Sequence, residues 1–303
     1  MKNKSLLGNA LLFLAAMIWG TAFVGQRVGM ESIEPITFNA ARMTLSAVMI
    51  GVLAILLTMR NKKYRVSSDE TKKYWKNTVL GGVFCGIFLA AASIFQQMGL
   101  VYTSAGKAGF ITAMYMLFVP IIHFLLFRKK NSLFVWMAIL MGLGGMYLLC
   151  VTEKLTLTFG DGLVFVCAIL FSGHILCCDH FAPLGDAIGI SAIQFLTASV
   201  ISWIIAFITE TPTTEKLLSA VIPIVYCGIL SGGVGYTMQI VAQKHTDPTI
   251  ASLLMSLESV FAVLAGVLFL NERMSPKEAV GCIIMFAAIV LVQIPFPQKK
   301  NRV

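Results

Sequence analysis

One carboxyl group lies deep inside a long apolar run. Glu258 is the eleventh residue of the run 248–270, roughly 16 Å along a helix that rises about 1.5 Å per residue, and so near the middle of a hydrocarbon layer about 30 Å thick. A charge there costs about 2.5–3.5 kcal/mol on insertion scales, so it is expected to have a function or a specific partner. Glu258 is our candidate for proton coupling or for binding a substrate amine. The alternative is a structural carboxyl hydrogen-bonded to a neighbouring helix.

Two cations enter apolar runs from one side of the predicted membrane. Arg42 is seven residues into the run 35–58, and Lys107 is near the start of the run 105–127. Arg42 is a candidate for holding a substrate carboxylate or for pairing with Glu258, and with Lys107 it would form a positive outer vestibule. Both residues are also compatible with long side chains that reach back to the membrane interface.

Amides and aromatic side chains occur on the neighbouring runs. Gln96 and Gln239 carry both donors and acceptors and suit orientation of a zwitterion or a heterocycle, although hydrogen bonds between helices would account for them as well. Aromatic residues on runs near these polar residues would suit an apolar substrate moiety or ordinary packing: Trp19, Phe38, Tyr115 and Tyr236.

No metal or cofactor is predicted from motifs. The seven cysteines all lie inside apolar runs and show no evident ligand spacing with a histidine, and His123, His174 and His180 form no clear ligand set with Asp179. The sequence also contains no phosphate-binding loop, no dinucleotide-binding turn and no nucleophile elbow. We therefore expect no cofactor, no metal and no direct use of ATP.

Composition requires that most of the chain faces lipid. Hydrophobic residues make up 58% of the sequence and charged residues 12%, against about 45–50% and about 25% in ordinary soluble domains. The net charge of +9 is concentrated between apolar runs, which argues against nucleic-acid binding. Ten runs are long enough to cross a membrane: 6–25, 35–58, 79–100, 105–127, 133–151, 161–180, 187–208, 218–240, 248–270 and 277–296.

The basic residues between these runs predict the orientation. Loop 59–78 contains seven Lys and Arg residues, and short basic loops stay in the cytoplasm. With that loop inside, the connections and termini on the cytoplasmic side hold 16 basic residues and those on the outer side hold 5. We expect a multi-pass protein of the inner (plasma) membrane with both termini in the cytoplasm.

The chain is similar to itself at two offsets. At 143, Gln96 aligns with Gln239 and Thr103 with Thr246; at 152, Gly8 aligns with Gly160. The predicted repeats are residues 1–152 and 153–303, each with five spans, and because five is odd the second repeat must be inverted relative to the first. The predicted fold class is an all-α integral membrane protein with ten transmembrane helices in two inverted five-helix repeats, which places a substrate site between them near the midplane.

Three stretches carry a family resemblance: Ala15-Ala16-Met17-Ile18-Trp19-Gly20-Thr21 followed by Arg42, the segment from Gln96 to Phe110, and Leu257-Glu258 followed by Asn271-Glu272-Arg273. The chain resembles the EamA branch of the drug/metabolite transporter superfamily over nearly its whole length. The resemblance implies transport of amino acids, other small metabolites or drugs, often outward, by exchange or proton-driven secondary transport. One departure is the basic joint Arg128-Lys129-Lys130, where the repeat would suggest an acidic residue like Glu272.

From the sequence we expect a secondary transporter, not an enzyme, that moves a small amphipathic metabolite. The best candidate substrate is an amino acid or a related organic acid, and the expected direction is export. The alternatives are an integral-membrane enzyme acting on a lipid or isoprenoid, which should cluster its acids and histidines at one interface, and a passive channel, which should have polar stripes along whole helices. Expected partners are a small-molecule substrate and the lipid bilayer. A monomer and a homodimer are both compatible with two fused repeats.

Overall fold

All regular structure in the described part of the chain is helical. A computed structural model describes residues 2–60, 69–103, 105–129, 131–150, 158–269 and 274–293. The helices are α1 (Lys2–Gly29), α2 (Pro35–Arg60), α3 (Asp69–Leu100), α4 (Ala105–Thr112), α5 (Tyr115–Phe127), α6 (Leu133–Cys150), α7 (Phe159–Phe181), α8 (Ala187–Thr209), α9 (Thr214–Ser219), α10 (Val221–Tyr226), α11 (Thr237–Gln243), α12 (Pro248–Met255), α13 (Glu258–Phe269) and α14 (Pro276–Gln293), with a π-helix, Cys227–Tyr236, between α10 and α11.

Polar residues mark where several of these helices begin. Thr158 and Asp161 form a reciprocal capping box at the start of α7, and the Asp186 carboxylate accepts the Gly189 N–H at the start of α8. These side chains satisfy N–H groups that lack a partner within the helix. The apolar runs are thereby divided at defined residues, and the helices between them are long enough to cross a membrane.

Eight helical segments in the described residues are long and apolar enough to span a bilayer. They are Ser5–Gly29, Pro35–Arg60, Asp69–Leu100, Lys107–Phe127, Phe159–Phe181, Ala187–Thr209, Val221–Gln243 and Pro248–Ala265, and a shorter apolar helix covers Leu133–Leu149. The predicted tenth span, 277–296, coincides with α14, and its last three residues lie outside the described part of the chain. The all-α membrane fold is confirmed, while the count of ten spans stays a prediction.

One end of the helix bundle, which we call face A, holds the beginnings of α1 and α3. Near it, the Thr246 hydroxyl donates to Asn9 Oδ1 at 3.4 Å. The Asp186 N–H, just before α8, donates to the Thr78 hydroxyl at 2.9 Å, and Lys244 Nζ donates to the Gly185 carbonyl at 3.3 Å. Face A therefore also holds the end of α7 and the end of α11.

The opposite end, face B, holds the beginnings of α2 and α7. The Glu210 carboxylate, at the end of α8, accepts the Thr37 N–H and hydroxyl at 2.6 Å each. The Thr103 hydroxyl, just after α3, donates to Asp161 Oδ1 at 2.7 Å. Since α1 begins at face A and α7 begins at face B, the two repeats run through the bundle in opposite directions.

Two spans are broken at equivalent places. The run 105–127 is interrupted at Ala113 and Met114, between α4 and α5, and the run 248–270 is interrupted at Ser256 and Leu257, between α12 and α13. These positions are related by the offset of 143 that relates the repeats. The breaks are therefore a feature of the repeat, and each brings an irregular backbone turn to mid-membrane depth.

Glycines permit the closest helix contacts. In the π-helix, a Cβ added to Gly235 would lie 2.6 Å from the Trp19 indole nitrogen, and between α6 and α14 a Cβ on Gly145 would lie 2.9 Å from the Gly281 carbonyl oxygen. Neither position has room for a side chain. The helices therefore approach closely at these two glycines, whereas a Cβ on Gly144 would have no neighbour within 4 Å.

Several predictions on the loops fall outside the described residues. The central residues of the basic loop 59–78, the joint Asn271-Glu272-Arg273 and the basic C-terminal tail all lie there. The assignment of face A to the cytoplasm therefore rests on the distribution of basic residues in the sequence.

Candidate functional site

A cavity lies between the two repeats. Helices of both repeats contribute to its wall, which combines aromatic, amide, hydroxyl and charged groups. Its lining residues are Trp19, Phe23, Gln26, Arg42, Gln96, Thr112, Tyr115, Phe171, His174, Ile175, Ser231, Tyr236, Gln239, Met255 and Glu258. Seven of the nine predicted site residues are in this set.

Tyr115 and Glu258 meet at the centre of the repeat symmetry. Each is the first residue after a helix break, and the offset of 143 relates one to the other. The Tyr115 hydroxyl donates to Glu258 Oε1 at 3.1 Å, and both residues are about 95% buried. A contact between two equivalent residues lies on the pseudo-two-fold axis, so this hydrogen bond joins the repeats at their common centre.

The serines beside Glu258 bond to their own helix. The Ser256 hydroxyl donates to the Leu253 carbonyl at 2.7 Å, and the Ser259 hydroxyl donates to the Ser256 carbonyl at 2.8 Å. The partner of Glu258 is therefore a tyrosine of the other repeat, and its carboxyl group lines the cavity.

Arg42 is enclosed in the protein with a neutral partner. It is 3% exposed, and two of its guanidinium nitrogens donate to Asn39 Oδ1 at 3.0 and 2.8 Å. The Asn39 amide nitrogen donates in turn to the hydroxyls of Ser93 and Ser202, which fixes the carbonyl oxygen toward Arg42. An amide orients the guanidinium and leaves its charge uncompensated, so the group suits an anion that enters the cavity.

Two suggested arrangements for Arg42 are not seen. Its side chain does not extend to the interface, and among the described residues its guanidinium forms no ion pair with Glu258 or another carboxylate. A cation and a carboxyl group therefore line one cavity as separate groups, each available to a ligand.

An aromatic wall completes the cavity. The Trp19 indole N–H donates to the Ser231 carbonyl of the π-helix at 3.0 Å, and its ring lies 4.8 Å from the Tyr236 ring. The His174 ring packs edge-on against Tyr236 at 5.7 Å. Rings held in this way form a fixed apolar surface suited to a flat or apolar ligand moiety.

The two predicted amides line the cavity with different partners. Gln96 donates to the Thr112 hydroxyl at 3.3 Å, whereas Gln239 donates to Gln243 Oε1 at 3.1 Å. Their positions follow the repeat, but their hydrogen bonds do not, so the cavity is asymmetric in polarity.

Phe38 and Lys107 are not in the cavity lining. Phe38 is fully buried in a separate apolar cluster with Ala22, Ile33 and Ile224. Lys107 forms an ion pair with Asp161 at face B, with a nitrogen–oxygen distance of 2.5 Å. The expected vestibule containing Arg42 and Lys107 is therefore not formed, because Lys107 is paired with a carboxylate of the other repeat.

Sequence reasoning missed polar wall residues that lack charge or a motif. Gln26, Thr112, His174 and Ser231 line the cavity, and none of them differs in residue type or spacing from ordinary helix contacts. One signal could have pointed to His174. The offset of 152 aligns Gln194 with Arg42, and in the structure Gln194 Oε1 lies 3.0 Å from His174 Nε2.

Equivalent contacts join the repeats at the two faces. At face B, the charged junction consists of Thr103, Lys107 and Asp161; at face A, the neutral junction consists of Thr246, Ile250 and Asn9. The repeat offsets relate the two sets residue by residue. Threonine donates to the facing residue in both, at 2.7 Å to Asp161 and at 3.4 Å to Asn9. The ion pair occurs at the charged junction alone, since isoleucine stands where the neutral junction would need a cation.

The expectation of no cysteine–histidine ligand spacing is wrong. His174 and Cys178 are four residues apart in α7, and Cys85 of α3 lies against them. Their potential ligand atoms are all within 4.8 Å of one another.

Comparison with known proteins gives consistent matches along the chain. The profile of the EamA-like transporter family matches residues 6–151 and 158–294. The chain is 26% identical over 291 residues to an uncharacterized transporter of Archaeoglobus fulgidus, covering 96% of this chain and 87% of the relative. It is 23% identical over 304 residues to the uncharacterized transporter YoaV of Bacillus subtilis, covering 98% and 99%. A protein of known crystal structure shares the fold, with a TM-score of 0.74 at 18% identity over 94% of this chain and 96% of that one.

Proposed function

The chain belongs to the EamA-like transporter family, and from that premise we propose that it is a secondary transporter that moves a small amphipathic metabolite by alternating access. The observation that carries this proposal is the cavity between inverted repeats, with Arg42 and Glu258 as separate groups in its wall. Groups of this kind inside a membrane are costly unless a ligand or coupling ion uses them. Relatives named as transporters favour this function over an integral-membrane enzyme.

The residues that line the cavity support our proposed substrate class. Arg42 has a neutral partner and would bind a carboxylate, while Glu258 would bind an amine or carry a proton. The aromatic surface of Trp19 and Tyr236 would hold an apolar part of the molecule. We therefore infer an amino acid or a related organic acid as substrate. We propose export as the direction from the family resemblance alone.

We propose that the two junctions act as the gates that open and close alternately during transport. If the repeats rock about the Tyr115–Glu258 contact, separating the charged junction opens the cavity to face B, and separating the neutral junction opens it to face A. With face A in the cytoplasm, as the basic loops predict, the charged junction is the outer closure and both termini are cytoplasmic in the plasma membrane.

Transport assays in proteoliposomes test this function. Uptake and efflux of a panel of amino acids and organic acids are measured with and without a pH gradient, for the wild type, Arg42→Gln and Glu258→Gln. We expect Arg42→Gln to lower transport of carboxylates by about 10- to 100-fold, since hydrogen bonds to charged groups contribute about 1.5–3 kcal/mol. Glu258→Gln should abolish the response to the gradient or the transport of amines.

Matched controls separate the cavity from general charge effects. Arg27→Gln and Glu70→Gln remove exposed charges outside the cavity and should leave transport unchanged. Wild-type transport in both cavity variants, for every compound the wild type carries, would refute the assigned roles. Absence of any panel transport by the wild type would refute the substrate class.

A further inference from the structure

A cluster of soft metal ligands lies between the repeats, separate from Arg42 and Glu258. Cys85 of α3 and His174 and Cys178 of α7 are all fully buried. The two cysteine sulfurs are 3.7 Å apart, and the Cys178 sulfur is 3.6 Å from His174 Nε2 and 4.0 Å from Nδ1. Three potential ligands from two helices thus converge on one point.

We propose that Cys85, His174 and Cys178 form a binding site for a thiophilic divalent cation, Zn²⁺ or Cd²⁺. In a tetrahedral zinc site with bonds of about 2.3 Å to sulfur and about 2.0 Å to nitrogen, neighbouring sulfurs are about 3.8 Å apart and sulfur and nitrogen about 3.5 Å. The sulfur–sulfur distance of 3.7 Å already matches this geometry, and the Cys178 sulfur lies 3.6 to 4.0 Å from the two ring nitrogens. Two thiols in van der Waals contact would show the same sulfur–sulfur distance. The imidazole therefore distinguishes a metal site from such a contact, because it brings a third potential ligand to the two sulfurs.

Charge balance selects the class of cation. On binding, Cys85 and Cys178 each release a proton, so two thiolates offset the two charges of the cation and the ligated centre is neutral. A neutral centre avoids the cost of a net charge inside the membrane. A monovalent soft ion held by the same two thiolates would leave a net negative charge, which makes the divalent class the better fit.

Gln194 is placed to orient the histidine. His174 Nε2 lies 3.0 Å from Gln194 Oε1, so its N–H can donate to that oxygen. That hydrogen bond leaves Nδ1, 4.0 Å from the Cys178 sulfur, as the ring nitrogen with a lone pair for a metal. Metal-binding histidines usually donate the second ring nitrogen in this way, which fixes the tautomer and the ring plane. Moving Nδ1 about half an ångström toward Cys178 would bring that nitrogen–sulfur distance to the tetrahedral spacing, and water would take the fourth position.

The ion has a route to the site and a structural effect there. His174 lines the central cavity, so a cation that enters the cavity reaches the imidazole, and the two cysteines lie directly behind it. Once bound, it would join α3 of the first repeat to α7 of the second. If the repeats move as proposed above, this link would hold them together and slow transport; that consequence rests on the proposed function, whereas binding does not.

Cobalt spectroscopy tests the site directly. Full-length protein in reducing buffer is stripped with chelator and titrated with Co²⁺, which gives intense visible bands when four-coordinate with thiolate ligands. We expect one equivalent per chain, displaced by Zn²⁺, with the bands lost in Cys85→Ser and in Cys178→Ser. Cys282→Ser, a half-buried cysteine of α14, is the matched control and should keep the bands. Gln194→Ala should weaken binding by about 10- to 100-fold.

Failure of the site and failure of the function are distinguishable. Absence of thiolate bands in the folded wild type, or bands that persist in both Cys85→Ser and Cys178→Ser, would overturn the site. If a serine variant does not fold, Zn²⁺ should still raise the melting temperature of the wild type and of Cys282→Ser, because a ligand that binds the native state stabilises it; no rise in either overturns the site. Stoichiometric binding with unchanged transport would overturn the link between the repeats alone.

Discussion

The charged and the neutral junction are equivalent contacts between the repeats that differ in the charge of their side chains. Both use a threonine that follows a helix and a polar residue near the start of a helix in the other repeat. At face B the pair is Thr103 and Asp161, supported by Lys107, and at face A it is Thr246 and Asn9, with Ile250 in the place of the lysine. Hydrogen bonds to an ionised group are shorter and stronger than neutral ones, so the charged junction should be the tighter closure.

The positions that form the two junctions are related by the repeat symmetry, whereas their side chains differ and would favour closure of one junction over the other. Inverted repeats of identical sequence would open equally to both faces. The two junctions differ at two equivalent positions, with Asp161 in place of Asn9 and Lys107 in place of Ile250, and we expect these differences to favour closure at face B. We therefore expect the unloaded protein to open more often at face A.

The largest effect is expected from Asp161→Asn, which removes the charge from the charged junction. Losing one partner of a buried ion pair costs about 3–5 kcal/mol, reduced here because the Lys107 side chain is 18% exposed. Hydrogen exchange of the backbone amides at the start of α7 should become about 10- to 100-fold faster. Exchange at the start of α1 should not become faster.

A matched control is needed because Asp161 also caps α7. Thr158→Ala removes the other half of the capping box and leaves the ion pair intact. It should cost about 1 kcal/mol and accelerate exchange less than Asp161→Asn does. Equal acceleration in the two variants would mean that the cap, and not the ion pair, secures the charged junction.

The second effect comes from installing charges at the neutral junction. Asn9→Asp together with Ile250→Lys should slow amide exchange at the start of α1 by about 10-fold, because a partly buried pair forms where a neutral contact stood. Ile250→Lys alone should destabilise the protein, since it introduces a cation without a partner. Exchange in the double variant as fast as in the wild type would contradict the proposed origin of the bias.

A smaller effect is expected at the axis. Tyr115→Phe removes the hydrogen bond to Glu258, worth about 0.5–1.5 kcal/mol, and keeps the ring. Because the contact lies on the pseudo-two-fold axis, exchange at both junctions should change by a similar factor, about 2- to 10-fold. A change confined to one junction would show that this contact does not couple the repeats symmetrically.

The smallest effect is expected from a partly exposed ion pair at face B. Lys216 donates to Glu34 between helices, and this hydrogen bond lowers the pKa of Glu34 below its ordinary value. A lowered carboxyl pKa stabilises the folded state above the ordinary pKa, and the benefit is lost as the pH falls through the lowered value. Both side chains are about one third exposed, so the gain is small.

Thermal unfolding of the wild type and Lys216→Gln checks this expectation. The wild type should melt slightly higher at neutral pH, and the two melting temperatures should converge in acid. A difference that grows on acidification would contradict the assigned sign.

The sequence predicted the spans and the symmetry better than the site. Hydropathy locates the apolar runs because lipid contact leaves a strong signal over about twenty residues. The helix breaks at 113–114 and 256–257 leave no such signal, because the interrupted runs remain continuously apolar. The repeat aligned Tyr115 with Glu258, but that the two residues touch follows from packing around the axis.

The errors share one physical cause, which is contact between helices distant in sequence. Lys107 was expected in an outer vestibule, and its pairing with Asp161 could not be foreseen because Asp161 lies in the other repeat. Cys85 was assigned no ligand role because His174 and Cys178 are about ninety residues away in the sequence. Phe38 could not be assigned from its own helix, since its neighbours come from α1 and α10 as well.

Transport with the charged junction locked tests the central claim most directly. The rings of Tyr102 and Phe159 are 5.7 Å apart beside this junction, so Tyr102→Cys with Phe159→Cys places two thiols within reach of a short bifunctional methanethiosulfonate while Thr103, Lys107 and Asp161 remain. In proteoliposomes, cross-linking of the double variant should stop transport, a reductant should restore it, and each single variant should be unaffected. Undiminished transport by fully cross-linked protein would contradict alternating opening of the two junctions.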